Sequence, residues 1–370
     1  MFFHRRKNLA HSIGLLNEAV RRDLSLEAIE EIVHSHSRPG RLAEVLRRVL
    51  AFEAGPIEYN SKHNYREQRK YNHLCDFEAS LRISEALSLY FGRYDLADSP
   101  SYDQHFVREH SEKLDEQGYS LIENCVSPAD CQRIIDFLGQ EQLLFREGLS
   151  NKLHRGYTPE NVKRTTSNVC WIEDRFALLS CPEIAALAFN PSLISVAQDF
   201  LGAPPIHTQI TCWWSTPYSD SPEHVKSAAQ QFHQDRDYIK FVKIFIYLTD
   251  VGAENGPHEF IAGSNADYAA VTKNKLRSSK RLTDEYLASV YARDRFRKFV
   301  APRGTVLFED TSGFHKGNPV VEDHRLMLQL EFASTLYGSP SYHFRDIPTE
   351  HLPPEARRLE RLLSAYRASV

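Results

Sequence analysis

Apolar positions repeat with one period over the first hundred residues of this chain and with another beyond about residue 112. In "RLAEVLRRVLAF" the residues Leu42, Val45, Leu46, Val49 and Leu50 fall at helical spacing, and "DFEASLRISEALSLYFG" continues with Leu81, Ala86, Leu87 and Tyr90 before Gly92 offers a stop. Upstream, "LSLEAIEEIV" has Ser25 as a helix N-cap. Next, "LDEQGYSLIENCVSPADCQRIIDFL" reads as a helix end, a short strand and a new helix opened by Ser127, Pro128 and Asp130. "PEIAALAFNPSLISVAQDFLG" is a helix broken at Asn190-Pro191 and restarted. Four strand-like runs follow, "IHTQITCWW", "IKFVKIFIYLTDV", "GTVLFED" and "RLMLQLEFA", separated by Pro, Gly and polar turns and mostly without the helix that a βαβ crossover needs. This order predicts a mixed α and β protein: a double-stranded β-helix (jelly-roll) barrel with flanking helices and a helical N-terminal region. The expected division is 1–110 helical, 111–345 barrel core and 346–370 a C-terminal helical tail.

Composition narrows the class without naming a chemistry. A chain of 370 residues has room for about two domains and a sizeable core. With 45 basic against 49 acidic residues there is no whole-chain case for nucleic acid or an anionic membrane. The start, "MFFHRRKNLAHSIG", reads as neither signal peptide nor anchor, so a cytoplasmic location is expected. Six cysteines, with no Cys-x-x-Cys pair, read as reduced thiols. The basic and tyrosine-rich stretch "EYNSKHNYREQRKYNH", with Lys62, Arg66, Arg69 and Lys70, is read as a solvated helix face or subunit contact. The N-terminal helices are thus candidates for a homo-oligomer contact.

Candidate chemistry begins in "FHQDRDYIKF". One residue separates His233 from Asp235, so on an extended strand both side chains share a side and suit a divalent metal; an exposed polar strand edge would use the same pair. A third ligand is offered by His315 in "GTVLFEDTSGFHKGNPVVEDHRLMLQLEF". In the strand that follows, Arg325, Met327 and Gln329 share one face while Leu326, Leu328, Leu330 and Phe332 share the other. An arginine opposite a leucine row points into the barrel, where a buried cation requires a partner such as a cosubstrate carboxylate. Two histidines and one carboxylate form the facial triad of non-haem Fe(II) oxygenases.

From about residue 112 to 340 the chain resembles the phytanoyl-CoA dioxygenase family of Fe(II)- and 2-oxoglutarate-dependent oxygenases. The resemblance is carried by "EQGYSLIENCVSP", "FHQDRD", "KIFIYLTDVGAENGPHEFIAGSN" and "GTVLFEDTSGFHKGNP". It implies that His233, Asp235 and His315 bind iron and that Arg325 pairs with the distal carboxylate of 2-oxoglutarate, for which a guanidinium fork is better suited than lysine. Gly317 stands where the family often has a small hydroxyl residue, so one cosubstrate contact is missing there. Gln209 and Thr211 alternate on one strand face and are candidate cosubstrate contacts, and at most one of Trp213 and Trp214 can face the pocket. His207, His258 and His324 are read as hydrogen-bonded structural residues.

The implied activity consumes 2-oxoglutarate and molecular oxygen and releases succinate and carbon dioxide. Because Asp235 keeps the carboxylate that halogenating relatives lack, hydroxylation, or a desaturation or cyclisation variant, is expected over halogenation. Basic segments around Lys152, Arg155, Lys163 and Arg164 and around Arg277, Lys280 and Arg281 suggest a small anionic substrate, with solvated helix as the plain alternative. Two other readings stay open: a catalytically silent jelly-roll acting through protein contacts, and a metal-dependent barrel enzyme that does not use 2-oxoglutarate.

Overall fold

The structure is a computed structural model that describes residues 31–35, 39–54, 77–140, 144–147, 153–155, 169–172, 175–217, 229–267, 281–337, 345–348, 352, 356, 359 and 361–369. Ser25 and the tyrosine-rich basic stretch lie outside the described residues.

Helix α1 (Pro39–Ala54) buries the stripe that its periodicity announces, whereas in α2 (Phe77–Phe91) Ala86 and Leu87 are buried as expected but Ala79 and Ile83 take the place of the half-buried Leu81. Leu42, Val45, Leu46, Val49 and Leu50 meet Ala79, Ile83, Ala86 and Leu87 in a cluster separate from the main core, joined by Ala203 and Tyr337. At the end of α2, Gly92 takes a left-handed φ of 76°. Helix α3 (Gln104–Gln117) starts at Asp103, whose side chain accepts from Phe106 N, and ends at Gly118 with φ 80°. A Cβ at Gly118 would lie 2.6 Å from Asn265 Oδ1 and 2.9 Å from Phe260 Cζ, so only glycine fits. The division expected at residue 110 falls inside α3. Val107 and Leu114 of this helix pack in the main core, and buried His110 hydrogen-bonds Ser120 at 2.9 Å, tying the helix to the sheet.

Ser127 caps α4 (Pro128–Gln140) by accepting from Asp130 N at 3.0 Å. A short α5 (Arg175–Ser180) precedes α6 (Pro182–Ala188) and α7 (Pro191–Leu201), which are separated at Asn190-Pro191, where Asn190 accepts from Leu193 N at 3.1 Å. One more helix, α8 (Asp284–Ala288), covers the small sheet.

The strands are β1 (Tyr119–Ile122), β2 (Leu144–Glu147), β3 (Leu153–Arg155), β4 (Val169–Ile172), β5 (Ile206–Ser215), β6 (Phe241–Tyr247), β7 (His258–Ile261), β8 (Phe296–Phe299), β9 (Val306–Glu309), β10 (His315–Gly317), β11 (Arg325–Ala333), β12 (Arg345–Pro348) and β13 (Tyr366–Ser369). Eight form one antiparallel sheet in the order β1-β9-β6-β11-β5-β4-β2-β3, and three form a second in the order β10-β7-β8. Strand alternation splits the large sheet into two faces. Leu326, Leu328, Leu330, Phe332, Ile210, Cys212 and Trp214 pack outward against the helices. Trp213, Phe245, Tyr247, Leu307 and Met327 face inward and meet Phe260 and Phe299 of the small sheet. The two faces of β11 are therefore those read from its sequence, and Trp213 is the inward tryptophan.

The two sheets do not close into a barrel. Strands of three or four residues in β7, β8 and β10 cannot span an eight-stranded sheet, so the far edge at β3 stays open among the described residues. Instead of the expected helical tail, β12 and β13 pair in parallel, while Leu352, Ala356 and Leu362 join the main core.

Candidate metal centre

The segment with His233 and Asp235 is extended but is not a regular strand. His233 exchanges backbone hydrogen bonds with His315 at 2.9 and 3.0 Å in an isolated bridge, and Asp235 N donates to Thr311 O at 2.8 Å. A second bridge, Phe232 with Leu282, anchors the opposite flank. These bonds hold the alternation that a strand would have given, and the ligand atoms of His233, Asp235 and His315 lie within 4.8 Å of one another. Both histidines are oriented alike: Nδ1 of His233 is 3.0 Å from Gln231 O and Nδ1 of His315 is 3.1 Å from Gly313 O. A carbonyl accepts, so each Nδ1 carries a proton and each Nε2 is the nitrogen turned toward a metal; Asp235, facing Nε2 of His315, raises that imidazole's pKa against the effect of burial. Those Nε2 atoms sit 3.6 and 3.4 Å from the Asp235 carboxylate.

Burial, with His315 nearby, pushes His233 down to about 2, so it is neutral and ready to ligate. Burial also opposes charge on Asp235, but Lys243 and His315 overcome it and hold the carboxyl well below the usual range. Lys243, on β6, donates to Asp235 Oδ2 at 2.7 Å and Asp237 Oδ2 at 2.9 Å and lies 3.8 Å from Glu331. Despite burial, those carboxylates hold its pKa well above the ordinary lysine value. Deeper in, His258 Nε2 meets Glu309 Oε1 at 3.0 Å. Burial lowers His258 and raises Glu309 to about 8, so near neutral pH the pair is a neutral hydrogen bond with the proton on the carboxyl. His258 is thus a structural partner, as read from the sequence. His324 pairs with Asp323 at 2.6 Å and packs edge-on to Trp214, and His207 lies against Phe332.

Arg325 opens β11, is 4% exposed and points inward. Its guanidinium donates to Gly256 O and, at 3.1 Å, to Ser215 Oγ, while Nε is buried without a partner. Gly256 has φ 71°, and a Cβ there would come 2.6 Å from Asn318 O, so the turn that presents this carbonyl requires glycine. A Cβ at Gly317 would lie 3.5 Å from Arg325 Nη2. Gly317 is two positions beyond His315, which sets the guanidinium roughly 6.5 Å of strand away from that ligand. Thr211 and Gln209 share the inward face, in register with Gln329 and Glu331 of β11. Thr211 Oγ1 is buried without a partner, and Gln209 accepts weakly from Gln329 at 3.5 Å. Both lie beyond Trp213 from Arg325, and neither touches the triad or the guanidinium.

Sequence reading missed Ser215 and Lys243. Lysine in the otherwise apolar, fully buried "FVKIFIY" was a signal for the second. Among the basic residues singled out, Lys152, Lys163, Arg164, Arg277 and Lys280 lie outside the described residues. Arg155 ends the edge strand β3, and Arg281 lies beside Leu282 next to the metal-side bridge.

The donor set fits a first-row divalent ion: two imidazole lone pairs and one carboxylate converge, and each imidazole has its other nitrogen tied to a carbonyl. A buried arginine with no carboxylate against it among the described residues fits a dicarboxylate cosubstrate. This is the donor set of the non-haem iron oxygenases. The chain belongs to the phytanoyl-CoA dioxygenase family, whose profile matches residues 114–325 and whose members use iron and 2-oxoglutarate. No curated protein matches it. Similar solved structures include HygX from Streptomyces hygroscopicus with nickel and 2-oxoglutarate bound, at 16% identity over 65% of this chain and 90% of that one with a TM-score of 0.43. Another is the non-haem α-ketoglutarate-dependent epimerase SnoN from nogalamycin biosynthesis, at 14% identity over 62% and 82% with a TM-score of 0.40. A third is AviO1 from Streptomyces viridochromogenes Tue57, at 18% over 61% and 94% with a TM-score of 0.39.

Proposed function

We propose that this chain is an Fe(II)- and 2-oxoglutarate-dependent dioxygenase, built on a double-stranded β-helix framework, that hydroxylates an unactivated carbon of a small molecule. The observation that carries the reading is the pairing of His233, Asp235 and His315 with a buried arginine that meets no carboxylate among the described residues. His233, Asp235 and His315 would hold the iron, and Arg325 with Ser215 would hold the distal carboxylate of 2-oxoglutarate. When bound, the iron and its cosubstrate supply the oxidation: substrate, 2-oxoglutarate and oxygen give hydroxylated substrate, succinate and carbon dioxide, with one oxygen atom in each of the first two products.

The protein's own part is geometric and electrostatic. Gln231 and Gly313 carbonyls fix the two imidazoles, and Lys243 fixes the carboxylate by holding Oδ2. Trp213, Phe245, Tyr247 and Met327 keep water from the space between Arg325 and the triad. Because Asp235 fills the third ligand position, halide has no vacant protein-side place, which favours oxygen chemistry. The separately packed α1 and α2 supply no described ligand, and we assign them to support or subunit contact.

Succinate release from 2-oxoglutarate during a screen of small metabolites tests the activity, and ¹⁸O₂ tests the outcome. Label in the product is expected for hydroxylation. Turnover that releases succinate but leaves the product unlabelled would assign desaturation, cyclisation or epimerisation instead, and no succinate under any condition would sink the reading.

A further inference from the structure

The bridges at the metal extend the small sheet sideways. From Phe260 the row runs through His315 and His233, and the antiparallel bridge of Phe232 with Leu282 places Arg281 opposite His233 on the same face. Phe232, Leu282 and Phe314 point the other way, into the cluster covered by α8. Arg281 is half-buried, and its Nη1 is buried without a hydrogen-bond partner among the described residues. Its charge is felt at Asp235 and His233, yet Asp235 is already occupied by Lys243 at 2.7 Å. A guanidinium donor removed from water and left without an acceptor is costly, and the acceptor that best offsets it is an anion.

Position decides whose anion it is. Arg325 stands against Gly317 on the His315 side of the triad, whereas Arg281 stands on the His233 side. The cosubstrate's distal carboxylate is assigned to the first. We propose that Arg281 anchors the substrate: it takes an oxyanion, a carboxylate or a phosphate, of the molecule that is oxidised, on the His233 flank of the metal. This rests on the reading above that the triad holds iron and Arg325 holds 2-oxoglutarate.

The test uses the full chain and two simple probes, butanoate and inorganic phosphate, at constant ionic strength. Under anaerobic conditions with Fe(II) and saturating 2-oxoglutarate, each probe is titrated against the visible charge-transfer band. At least one probe is expected to perturb the band saturably, with half-saturation raised about tenfold or more in Arg281→Gln and unchanged in Arg108→Gln, an exposed arginine on α3. An unchanged Arg281→Gln titration overturns the proposal. So does an Arg281→Gln variant in which the 2-oxoglutarate titration shifts by the same factor, because the anion held is then the cosubstrate's near carboxylate. If the wild type forms no band at all, the proposed function fails, and thermal melting of the metal-free protein with the same probes decides Arg281 by itself. A rise in midpoint present in wild type and Arg325→Gln but lost in Arg281→Gln sustains the anion site. No rise in the wild type, a rise kept in Arg281→Gln, or one lost only in Arg325→Gln overturns it.

Discussion

Two buried cations project from neighbouring strands into the space between the sheets, and their surroundings are opposite. Lys243 on β6 is ringed by Asp235, Asp237 and Glu331. Among the described residues Arg325 on β11 meets one backbone carbonyl, one hydroxyl and no carboxylate. A buried charge without a counter-charge is unfavourable unless something outside the chain supplies one. Lysine here completes a structure; arginine waits for a ligand. The same physical rule underlies the proposal that the first cation serves stability and metal geometry and the second cosubstrate binding.

The largest effect should come from removing the group that both the metal and Lys243 use. Asp235→Ala deletes the only anionic ligand and leaves Lys243 with weaker company, so Fe(II) uptake and turnover should both be lost, measured by anaerobic titration and succinate release. His315→Ala should lose both as well while leaving the lysine's pairs intact. Turnover at the wild-type rate in either variant would break the site assignment. Next in size is Lys243→Met, which in the metal-free protein leaves the largely buried Asp235 carboxylate, and Asp237 beside it, without their cation. Unpairing a buried cluster of this kind typically costs about 3–5 kcal/mol, which should appear as a clear fall in the denaturation midpoint of the metal-free protein. Arg325→Met should by comparison be close to neutral in the same assay, and if the two variants melted alike the contrast would be wrong.

The contrast was only half legible in the sequence. The triad could be read because His233 and Asp235 are local neighbours and His315 follows a strand and a turn. Arg325 could be read because the leucine row of β11 fixes its face. The pairing of Ser215 with Arg325 and of Lys243 with Glu331 could not, since it is set by registers between β5, β6 and β11 that no local pattern encodes. Helices α1, α2, α4, α6 and α7, the end of α3, and strands β1, β5, β6, β9 and β11 follow from period and capping residues. The small sheet was invisible, because strands of three or four residues carry too little alternation to detect, and so was the failure of the barrel to close. The tail was not legible as strand, because β12 and β13 are four residues each and their pairing is a tertiary contact.

Smaller than the structural effect of Lys243 is the functional effect expected at Arg325. Arg325→Gln keeps the triad and removes the partner of the distal carboxylate, a loss of about 2–5 kcal/mol for a buried charge-assisted contact. Fe(II) binding should persist while half-saturation by 2-oxoglutarate rises roughly thirtyfold or more. The readout is the charge-transfer band under anaerobic conditions. A wild-type curve would remove Arg325 from the cosubstrate site.

The smallest effect concerns the hydroxyl beside that arginine. Ser215 Oγ accepts from Arg325 Nη2 at 3.1 Å, which leaves its own proton free to meet a carboxylate held by the same guanidinium. Ser215→Ala removes a neutral acceptor and one donor, worth about 0.5–1.5 kcal/mol, so half-saturation by 2-oxoglutarate should rise between about twofold and tenfold with Fe(II) uptake unchanged. Gly317 offers a way to move the hydroxyl instead of deleting it. A Cβ there makes ordinary contact with Arg325 Nη2 at 3.5 Å, so Gly317→Ser fits without displacing the guanidinium. In the double variant Ser215→Ala with Gly317→Ser, the hydroxyl reaches the arginine from β10 in place of β5, and most of the lost affinity should return. A Ser215→Ala titration that overlays the wild type would show that the hydroxyl only supports the strand.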